Sequence, residues 1–447
     1  MRVLTIGGGG REHAAVEALY RSGAEVYAVM KNMNPGIIRR SKGYKIVEET
    51  NVGMVCAYAK EVGAELAYIG PEAPLEVGLS DSLREIGVLC AAPTKSAARI
   101  ETSKLFMREF INEHNIAGNV DYASFDNPED AKRYIDSVEH EVVVKPVGLT
   151  GGKGVKVQGE HLHSVHDTTR YIDEVFNTGI GGSGIIIEEK VSGEEFTQMA
   201  FCDGKHVEPM PLVQDHKRAY ENDTGPNTGG MGSYSDSNHL LPFVEKSDRA
   251  AALNIIKNVV NAMNKDCCQY CGPIYGQFML TPAGPKIIEF NARFGDPEAM
   301  NVLSILESDF VDICYRMATG TLTKAVEFGR RASVCKYVVP EGYGTKPISG
   351  SEIFVDEESI KRANAILYYA NVNQDGRKLL TGTSRSLGIV GIADTIDKAE
   401  ENCENALKFV RGDHIFVRHD IGRENLIQNH VEHLKKLCLG QNEKSSN

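Results

Sequence analysis

A carboxylate and an amide side chain alternate along one apolar stretch of this chain. Residues 287–290 have the character of a β-strand, and strand side chains two positions apart point to the same face, so Glu289 and Asn291 share a face. Carboxylate and amide oxygens form a hard site that suits Mg²⁺, which usually bridges to nucleotide phosphates. Arg293, just beyond, adds a planar cation for phosphate or carboxylate. The stretch therefore predicts a magnesium and phosphate site; the alternative is a strand that ends in ordinary surface residues.

A glycine loop near the N-terminus predicts a first anion site. Gly7 to Gly10 follow a strand and precede a helix, where free backbone amides attract anions. The loop does not fit the dinucleotide fingerprint, since Glu12 and His13 stand where its last glycine belongs, and no acidic residue directly follows the second strand. A smaller phosphorylated or anionic ligand is therefore favoured over NAD, with a simple tight turn as the alternative.

A second glycine loop spans residues 148–154. It is one residue short of a Walker A motif and has Gly154 in place of the hydroxyl residue. A glycine hairpin that carries Lys153 between two strands predicts a lid over a triphosphate instead. Lys145, on the strand before it, favours an anionic partner, unless it is a surface lysine whose charge reaches solvent.

A polar, glycine-rich stretch runs from residue 215 to residue 232. Long loops of this kind in a compact domain are usually functional. Asp215, Lys217 and the backbone amides near Gly229 predict a site for a zwitterion, with its ammonium at the aspartate and its carboxylate at the amides. A disordered loop is the alternative.

Composition excludes several classes of protein. The chain has 447 residues, 42% of them hydrophobic and 25% charged, and about three domains are expected. A net charge of −12 disfavours a nucleic-acid binder. No apolar run approaches the roughly 20 residues of a membrane span, and the N-terminus runs directly into a strand rather than a signal peptide. Ten scattered cysteines fit a reducing cytoplasm, and the lone C-x-x-C at Cys268–Cys271 favours structural thiols over zinc.

The elements that must position these residues fall into three regions. Strands and helices alternate over residues 1–103, which predicts a doubly wound parallel α/β domain with ligand loops at the carboxyl ends of its strands. A helical segment from Thr94 to about Asn115 leads into a central region, residues 104–330, with a small α+β lid over about 119–192. Residues 331–447 predict a strand-rich α+β domain.

Six segments, in order, resemble motifs of the phosphoribosylamine–glycine ligase family (glycinamide ribonucleotide synthetases) in the ATP-grasp superfamily. They are residues 9–13, 70–75, 152–155, 214–218, 223–232 and 289–298. The 223–232 segment is highly specific, whereas Gly-Lys-Gly is generic to the superfamily. The C-terminal third resembles the family more loosely, and Val147 stands where the family commonly has an aspartate.

The resemblance implies a fold of ATP-grasp domains with a mobile lid, and an ATP-dependent enzyme of de novo purine biosynthesis. Its substrates would be glycine and 5-phosphoribosylamine, joined through glycyl phosphate to glycinamide ribonucleotide, ADP and phosphate, with Mg²⁺ or Mn²⁺ as cofactor. It also implies a cytoplasmic monomer. Another ATP-grasp carboxylate–amine ligase and a non-enzymatic nucleotide-binding protein are the alternatives.

The resemblance also implies roles for individual residues. The metal ligands would be Gln277, Glu289 and Asn291. ATP would be surrounded by Lys104, Lys145, Lys153, Glu188, Glu189, Val191 and Glu195. The substrates would contact Gly9, Gly10, Arg11, Glu12, His13, Glu72, Asp215, Lys217, Gly229, Gly230 and Arg293, and the catalytic residues would be Arg293, Lys153 and Asp215.

Overall fold

The computed structural model describes residues 1–150, 154–182, 184–266 and 268–444. It confirms the predicted doubly wound sheet at the N-terminus. The elements are β1 (Arg2–Ile6), α1 (Gly10–Arg21), β2 (Glu25–Met30), α2 (Pro35–Arg40), β3 (Ser41–Ile46), α3 (Val52–Val62), β4 (Leu66–Ile69), α4 (Glu72–Glu76), α5 (Leu79–Glu85) and β5 (Leu89–Cys90). The strands run parallel in the order β3-β2-β1-β4-β5. The central strands β1 and β4 are almost wholly buried, and the loops that follow them lie side by side at the carboxyl edge.

The segment predicted to be helical over residues 94–115 forms two helices, α6 (Lys95–Thr102) and α7 (Lys104–Glu113). The break between them was not predicted. Ser103 separates them with an extended backbone (φ −135°, ψ 105°), and its hydroxyl accepts a hydrogen bond from the amide of Phe106 at 3.2 Å. A serine at a helix N-cap satisfies an amide that has no partner within the helix, so the break is favourable locally. It also places Lys104 at the start of α7, with its amide 2.9 Å from the carbonyl of Val147.

The lid is a small sheet with two helices on one face. It comprises β6 (Tyr122–Phe125), α8 (Pro128–Ser137), β7 (Val142–Pro146), β8 (Lys156–Val157), α9 (Val165–Thr178) and β9 (Ile185–Glu189), with strand order β6-β9-β7-β8. Ile135, Ile172 and Val175 from the helices pack on Val144 and Ile187 of the sheet. This separate core makes the lid a unit of its own within the predicted range 119–192.

A second antiparallel sheet lies behind the lid, in the order β11-β10-β16-β17. Its strands are β10 (Glu194–Asp203), β11 (Val207–Pro209), β16 (Cys271–Thr281) and β17 (Gly284–Asn291), and the associated helices are α10 (Lys246–Lys265), α11 (Glu298–Ser304) and α12 (Phe310–Thr319). Phe196, Phe278 and Phe290 fill the buried side of this sheet. The opposite side is free to carry polar residues toward the lid.

The C-terminal region is a strand-rich α+β assembly, as predicted. The polar stretch forms β12 (Gln214–Asp215), β13 (Arg218–Tyr220), β14 (Thr224–Asn227) and β15 (Gly232–Ser235); beyond it come β18 (Ala332–Pro340), β19 (Glu352–Val355), α13 (Glu357–Arg362), β20 (Ala365–Tyr369), β21 (Val372–Asp375), β22 (Lys378–Thr381), β23 (Leu387–Ala393), α14 (Ile396–Leu407), β24 (Val410–Gly412), β25 (Ile415–Val417) and α15 (Glu424–Lys444). One sheet has the order β12-β15-β18-β23-β20, so the polar stretch is hydrogen-bonded to the C-terminal region. The division at residues 103/104 and 330/331 stays a prediction.

Among the described residues, none of the helices combines the length and the apolar character that a membrane span requires.

Candidate active site

The β16–β17 hairpin brings the three predicted metal ligands together. Gln277 pairs with Glu289 across the two strands, and Asn291 lies two residues further along β17. The Asn291 amide donates to the Glu289 carboxylate at 3.4 Å, so both side chains share one face, as the strand alternation predicts. The Gln277 amide donates to Glu195 at the start of β10. The hairpin therefore presents one carboxylate and two amide groups on a single patch.

Three lysines from three different elements surround Glu289. Burial alone favours the neutral acid, but Lys217, Lys145 and Lys104 together keep the pKa of Glu289 below its ordinary value. Burial also lowers the pKa of Lys104, which Glu289 partly offsets. The pKa of Lys217 is raised despite its burial, because Glu195 and Glu289 lie nearby. The patch thus holds an ionised carboxylate among several cations, an arrangement suited to a metal ion and phosphates.

Arg293 connects this patch to the N-terminal domain. Its guanidinium lies 3.2 Å from Glu72, 2.9 Å from Glu101 and 3.3 Å from the Asn291 side-chain oxygen. Burial opposes ionisation of Glu72, but Arg293 and Arg11 hold its pKa at about 2. Burial raises the pKa of Glu101 to about 7 even though Arg293 opposes this. Glu101 was missed at the sequence level, since one acid on a short helix has no distinguishing pattern.

The Gly7–Gly10 loop lies beside the same cluster. The amide of Gly9 donates to the Glu12 carboxylate at 2.8 Å, and Arg11 pairs with Glu12 at 2.6 Å. Arg11 also donates to the carbonyl of Phe294 at 3.0 Å, which ties the loop to the segment after β17. Gly10 directly faces the hydroxyl of Tyr337, where a side chain would have no room. Arg11, Glu12, Glu72 and Arg293 therefore meet, as the substrate-site prediction requires.

His13 has a different environment from its neighbours in the loop. Its Nδ1 accepts a hydrogen bond from the amide of Tyr369 at 2.8 Å, and its Nε2 lies 3.7 Å from Glu17. The ring packs against Tyr368 and Tyr369 of the C-terminal region. These contacts give His13 a packing role, and its contact with substrate stays a prediction.

Asp215 lies close to Glu298 and Lys217. Burial raises the pKa of Asp215 well above its usual value, and nearby Glu298 adds to the effect. Within the part of the chain that the structure describes, its Oδ1 has no hydrogen-bond partner. A Cβ atom at Gly230 would lie 2.8 Å from this oxygen, so a side chain has no room there, and Lys217 opposes the shift. A buried carboxylate without a partner is costly, so this position fits a cationic group supplied by a ligand.

Glu188 in the lid has the opposite character. Arg108 of α7 donates to both of its oxygens, at 2.8 and 2.9 Å, and Lys145 lies 2.7 Å away. Lys104 donates to the carbonyl of Gly148 at 2.8 Å, which holds the start of the glycine loop near this cluster. Arg108 was missed from the sequence because its partner is 80 residues away along the chain.

Three further residues predicted to contact ATP lie at the end of β9 and the start of β10. Glu189 accepts a hydrogen bond from the amide of Asp121 at 3.1 Å, and Val191 follows the end of β9. Glu195 contacts Lys217 at 3.4 Å. Lys153 lies outside the described residues, so its role stays a prediction.

The C-terminal region contributes three residues that the motifs did not indicate, Arg385, Tyr337 and Tyr343. Arg385 donates to the Asp296 carboxylate at 2.9 Å and to the backbone carbonyl of Gly229. The hydroxyl of Tyr337 donates to the same carboxylate. Gly229 in turn donates its amide to the hydroxyl of Tyr343 at 3.3 Å. The polar stretch is therefore held against the active site from the C-terminal side.

Three family models match the chain. They describe the N domain, the ATP-grasp (A) domain and the C domain of phosphoribosylglycinamide synthetase, over residues 1–101, 102–299 and 333–424. The chain is 51% identical over 438 residues to a phosphoribosylamine–glycine ligase of Methanocella arvoryzae, an alignment that covers 97% of this chain and 99% of that relative.

Solved structures agree with this result. The crystal structure of phosphoribosylamine–glycine ligase from Thermotoga maritima superposes with a TM-score of 0.81 at 26% identity, covering 94% of this chain and 100% of that one. The biotin carboxylase domain of the 2-oxoglutarate carboxylase from Hydrogenobacter thermophilus, solved with MgADP, has a TM-score of 0.73 at 15% identity, covering 97% and 93%, and shares the fold alone. Matches over nearly the whole length confirm the predicted resemblance, and the chain belongs to the phosphoribosylamine–glycine ligase family of ATP-grasp enzymes.

Proposed function

We propose that the protein joins glycine to 5-phosphoribosylamine with the cleavage of ATP, which yields glycinamide ribonucleotide, ADP and phosphate in purine biosynthesis. The observation that carries the proposal is the juxtaposition of two opposite features. Three lysines converge on the ionised Glu289, whereas the partly buried Asp215 has a buried oxygen, Oδ1, without a partner among the described residues. The lysines around Glu289 suit a metal-bound triphosphate, and Asp215 suits the ammonium group of an amino acid. The full-length likeness to named ligases supports this pairing of ligands.

The donor set of the hairpin fits a divalent cation that prefers oxygen ligands. Glu289, Gln277 and Asn291 offer one carboxylate and two amide oxygens on adjacent strands. Among the described residues, no histidine or cysteine belongs to this patch, so Mg²⁺ and Mn²⁺ suit it better than zinc. The bound ion would neutralise charge on the phosphates and so favour attack at the terminal phosphorus.

Residues of this chain would bind and orient the reactants. Asp215 would hold the ammonium of glycine, which leaves the glycine carboxylate free to attack the γ-phosphate and displace ADP. The amine of phosphoribosylamine then attacks the carbonyl of glycyl phosphate and expels inorganic phosphate. Lys145 and Lys104 would stabilise the phosphate charge, and Arg293 with Arg11 would bind the phosphoribosyl substrate. Catalysis then depends on positioning and charge, without a nucleophilic side chain.

The lid would exclude water during this sequence. Lys104 donates to the carbonyl of Gly148, at the start of the glycine loop that follows β7. An acyl phosphate hydrolyses readily in water, so closure of a lid protects the intermediate. Lys153, which lies outside the described residues, would then approach the triphosphate.

The test is ADP release with Mg²⁺ and ATP, with glycine and phosphoribosylamine omitted in turn. The amine is unstable and is generated in the assay. Release that requires both substrates, with glycinamide ribonucleotide detected as product, is the expected result. Release with another acid in place of glycine would instead indicate a different ATP-grasp ligase, and ATP binding without turnover would indicate a nucleotide-binding protein.

We further propose that the protein is a monomer of the cytoplasm. All cysteines that the structure describes are free thiols, which supports a reducing compartment. Light scattering coupled to size exclusion should give the mass of one chain, and a dimer mass would contradict the proposal.

A further inference from the structure

A second cluster of ligating side chains lies between the polar stretch and the C-terminal helix. His216 follows β12, Asp223 lies in the turn between β13 and β14, and His430 belongs to α15. One ligating atom from each of these residues lies within 4.8 Å of the others. His216 is buried, and the other two are partly buried. This cluster shares no residue with the oxygen patch on the β16–β17 hairpin.

Two distances within the cluster are close to those between the ligands of one metal ion, although one of them is also a hydrogen bond. His430 Nε2 lies 3.4 Å from Asp223 Oδ2, and His216 Nδ1 lies 3.1 Å from Asp223 Oδ1. A tetrahedral ion with ligand bonds of about 2.0–2.1 Å holds its ligand atoms roughly 3.3 Å apart. Among the described residues, the buried Nε2 atoms of His216 and His430 have no hydrogen-bond partner. Nε2 of His430 faces Asp223 and can ligate an ion, and an ion at Nδ1 of His216 would replace the hydrogen bond of that nitrogen to Asp223.

Side chains around the cluster form hydrogen bonds that fix the orientation of its histidine rings, as the hydrogen-bond partners of metal-bound histidines do. Glu194 is hydrogen-bonded to Nδ1 of His430, which leaves Nε2 of that ring to face Asp223. The second oxygen of Glu194 is bonded to His433, one turn along α15. A carboxylate bonded to the far nitrogen of a histidine is the usual support of a metal-bound imidazole. Arg418 occupies only Oδ1 of Asp223, at 2.8 Å, so Oδ2 remains open.

The charge balance also favours a cation. Glu194, Asp223 and Asp420 contribute three carboxylates to this region, and Arg418 bonds to two of them. With His430 neutral, as a metal ligand must be, the carboxylates would exceed the charge of Arg418 in a half-buried setting. A divalent ion would remove this excess.

We propose that His216, Asp223 and His430 form a binding site for a divalent transition metal of the zinc class, with water as the fourth ligand. Imidazole nitrogens with one carboxylate select zinc, cobalt or nickel over magnesium. The ion would link α15 to the polar stretch that carries Asp215 and Gly229. It would thereby stabilise the C-terminal helix on the active-site side of the molecule without taking part in the reaction.

The test uses the full-length protein, stripped with a chelator and then kept in excess Mg²⁺ to fill the oxygen patch. Co²⁺ is titrated, because tetrahedral Co²⁺ with nitrogen ligands has a strong visible absorption. One Co²⁺ per chain, displaced by Zn²⁺, is expected. His430→Gln and Asp223→Asn should each weaken binding at least tenfold, and His433→Gln should weaken it less, because outer partners contribute more modestly.

Two controls separate this site from other metal binding. His414→Gln removes a partly exposed histidine that pairs with Glu341 at 3.0 Å, and it should leave the titration unchanged. Glu289→Gln should likewise leave it unchanged. Absence of stoichiometric Co²⁺ binding, or binding that His430→Gln does not weaken, would overturn the proposal and indicate that a proton on His430 supplies the positive charge.

Hydrogen exchange gives a second readout that needs no variant. Zn²⁺ added to the stripped protein in excess Mg²⁺ should slow amide exchange in α15 and in residues 216–227 at least fivefold. Unchanged exchange in both segments would contradict a link through the metal, even if one of the variants failed to fold.

Discussion

Glu188 in the lid is buried and Asp215 in the polar stretch is partly buried, and their surroundings shift the pKa values of the two carboxyl groups in opposite directions. Glu188 contacts Arg108 and Lys145 at 2.7–2.9 Å, and these cations overcome the effect of burial and hold its pKa at about 2. Asp215 has one oxygen without a partner among the described residues, and burial raises its pKa. A carboxylate whose hydrogen bonds are all made within the protein, such as Glu188, contributes to stability. A carboxylate with an unpartnered buried oxygen, such as Asp215, is suited to bind a ligand.

The largest effect on activity is expected at Glu289, the carboxylate that three lysines surround and that we propose as a metal ligand. Glu289→Gln should lower kcat/KM about a thousandfold, ~4 kcal/mol, because the only carboxylate of the predicted metal triad is lost. Folding should be little affected, since the replacement preserves shape. Steady-state kinetics over a range of Mg²⁺ concentrations measures the change.

Glu208→Gln is the matched control for this variant. Glu208 lies on β11, at the opposite edge of the same sheet, so its neutralisation should leave kcat/KM and the Mg²⁺ dependence unchanged. A Glu289→Gln enzyme with near-normal turnover would show that the magnesium assignment is wrong.

Glu188→Gln should affect stability instead. The pKa of Glu188 falls from 4.5 to about 2 on folding, because Arg108 and Lys145 outweigh its burial. The unfolded chain therefore binds the proton more readily, and the resulting stabilisation is fully present above pH 4.5 and is lost as the pH falls through about 2. The shift corresponds to ~3 kcal/mol, which the variant should lose at neutral pH.

Urea unfolding of the wild type and of Glu188→Gln measures this difference. Glu189→Gln is the control, since the adjacent side chain accepts only one hydrogen bond from a backbone amide, at 3.1 Å. If the lid unfolds separately, its own transition should carry the shift. Equal stability of Glu188→Gln and wild type at pH 7, together with a large rise in KM for ATP, would make Glu188 a ligand-binding residue instead.

Asp215→Asn should affect substrate binding rather than stability, the opposite of the effect expected for Glu188→Gln. Neutralisation of this partly buried carboxylate, whose buried Oδ1 has no partner among the described residues, should leave Tm unchanged or raise it, while KM for glycine rises about thirtyfold, ~2 kcal/mol. Asp236→Asn, outside the site, should change neither quantity. A lower Tm with unchanged KM for glycine would mean that Asp215 is a structural residue and that the ammonium binds elsewhere.

How far the sequence predicts this arrangement depends on the range of the interactions. The common face of Glu289 and Asn291 was predictable because they are two residues apart on one strand, whereas their role as metal ligands stays a prediction. Arg108 was not predictable, since its partner Glu188 is 80 residues away and no pattern on α7 marks it. Glu101 was missed for the same reason: its partner Arg293 lies on another domain. Parallel topology followed from the alternation of strands and helices, whereas the helix break at Ser103 depended on a single cap.

Contacts between the C-terminal region and the active site were also not predictable from the sequence. The smallest effect on activity is expected from one of them, at Arg385. Arg385 donates to Asp296 and to the carbonyl of Gly229, and no motif in the C-terminal region predicts either bond. Arg385→Lys retains the charge but loses the fork that reaches both partners, so kcat/KM should fall about fivefold, ~1 kcal/mol. Because the fork holds the Gly229 loop rather than touching the reacting atoms, KM for glycine should account for most of the change. Arg331→Lys, at a surface pair with Asp394, should leave KM for glycine unaltered. A loss confined to kcat would instead place Arg385 in contact with the substrate itself.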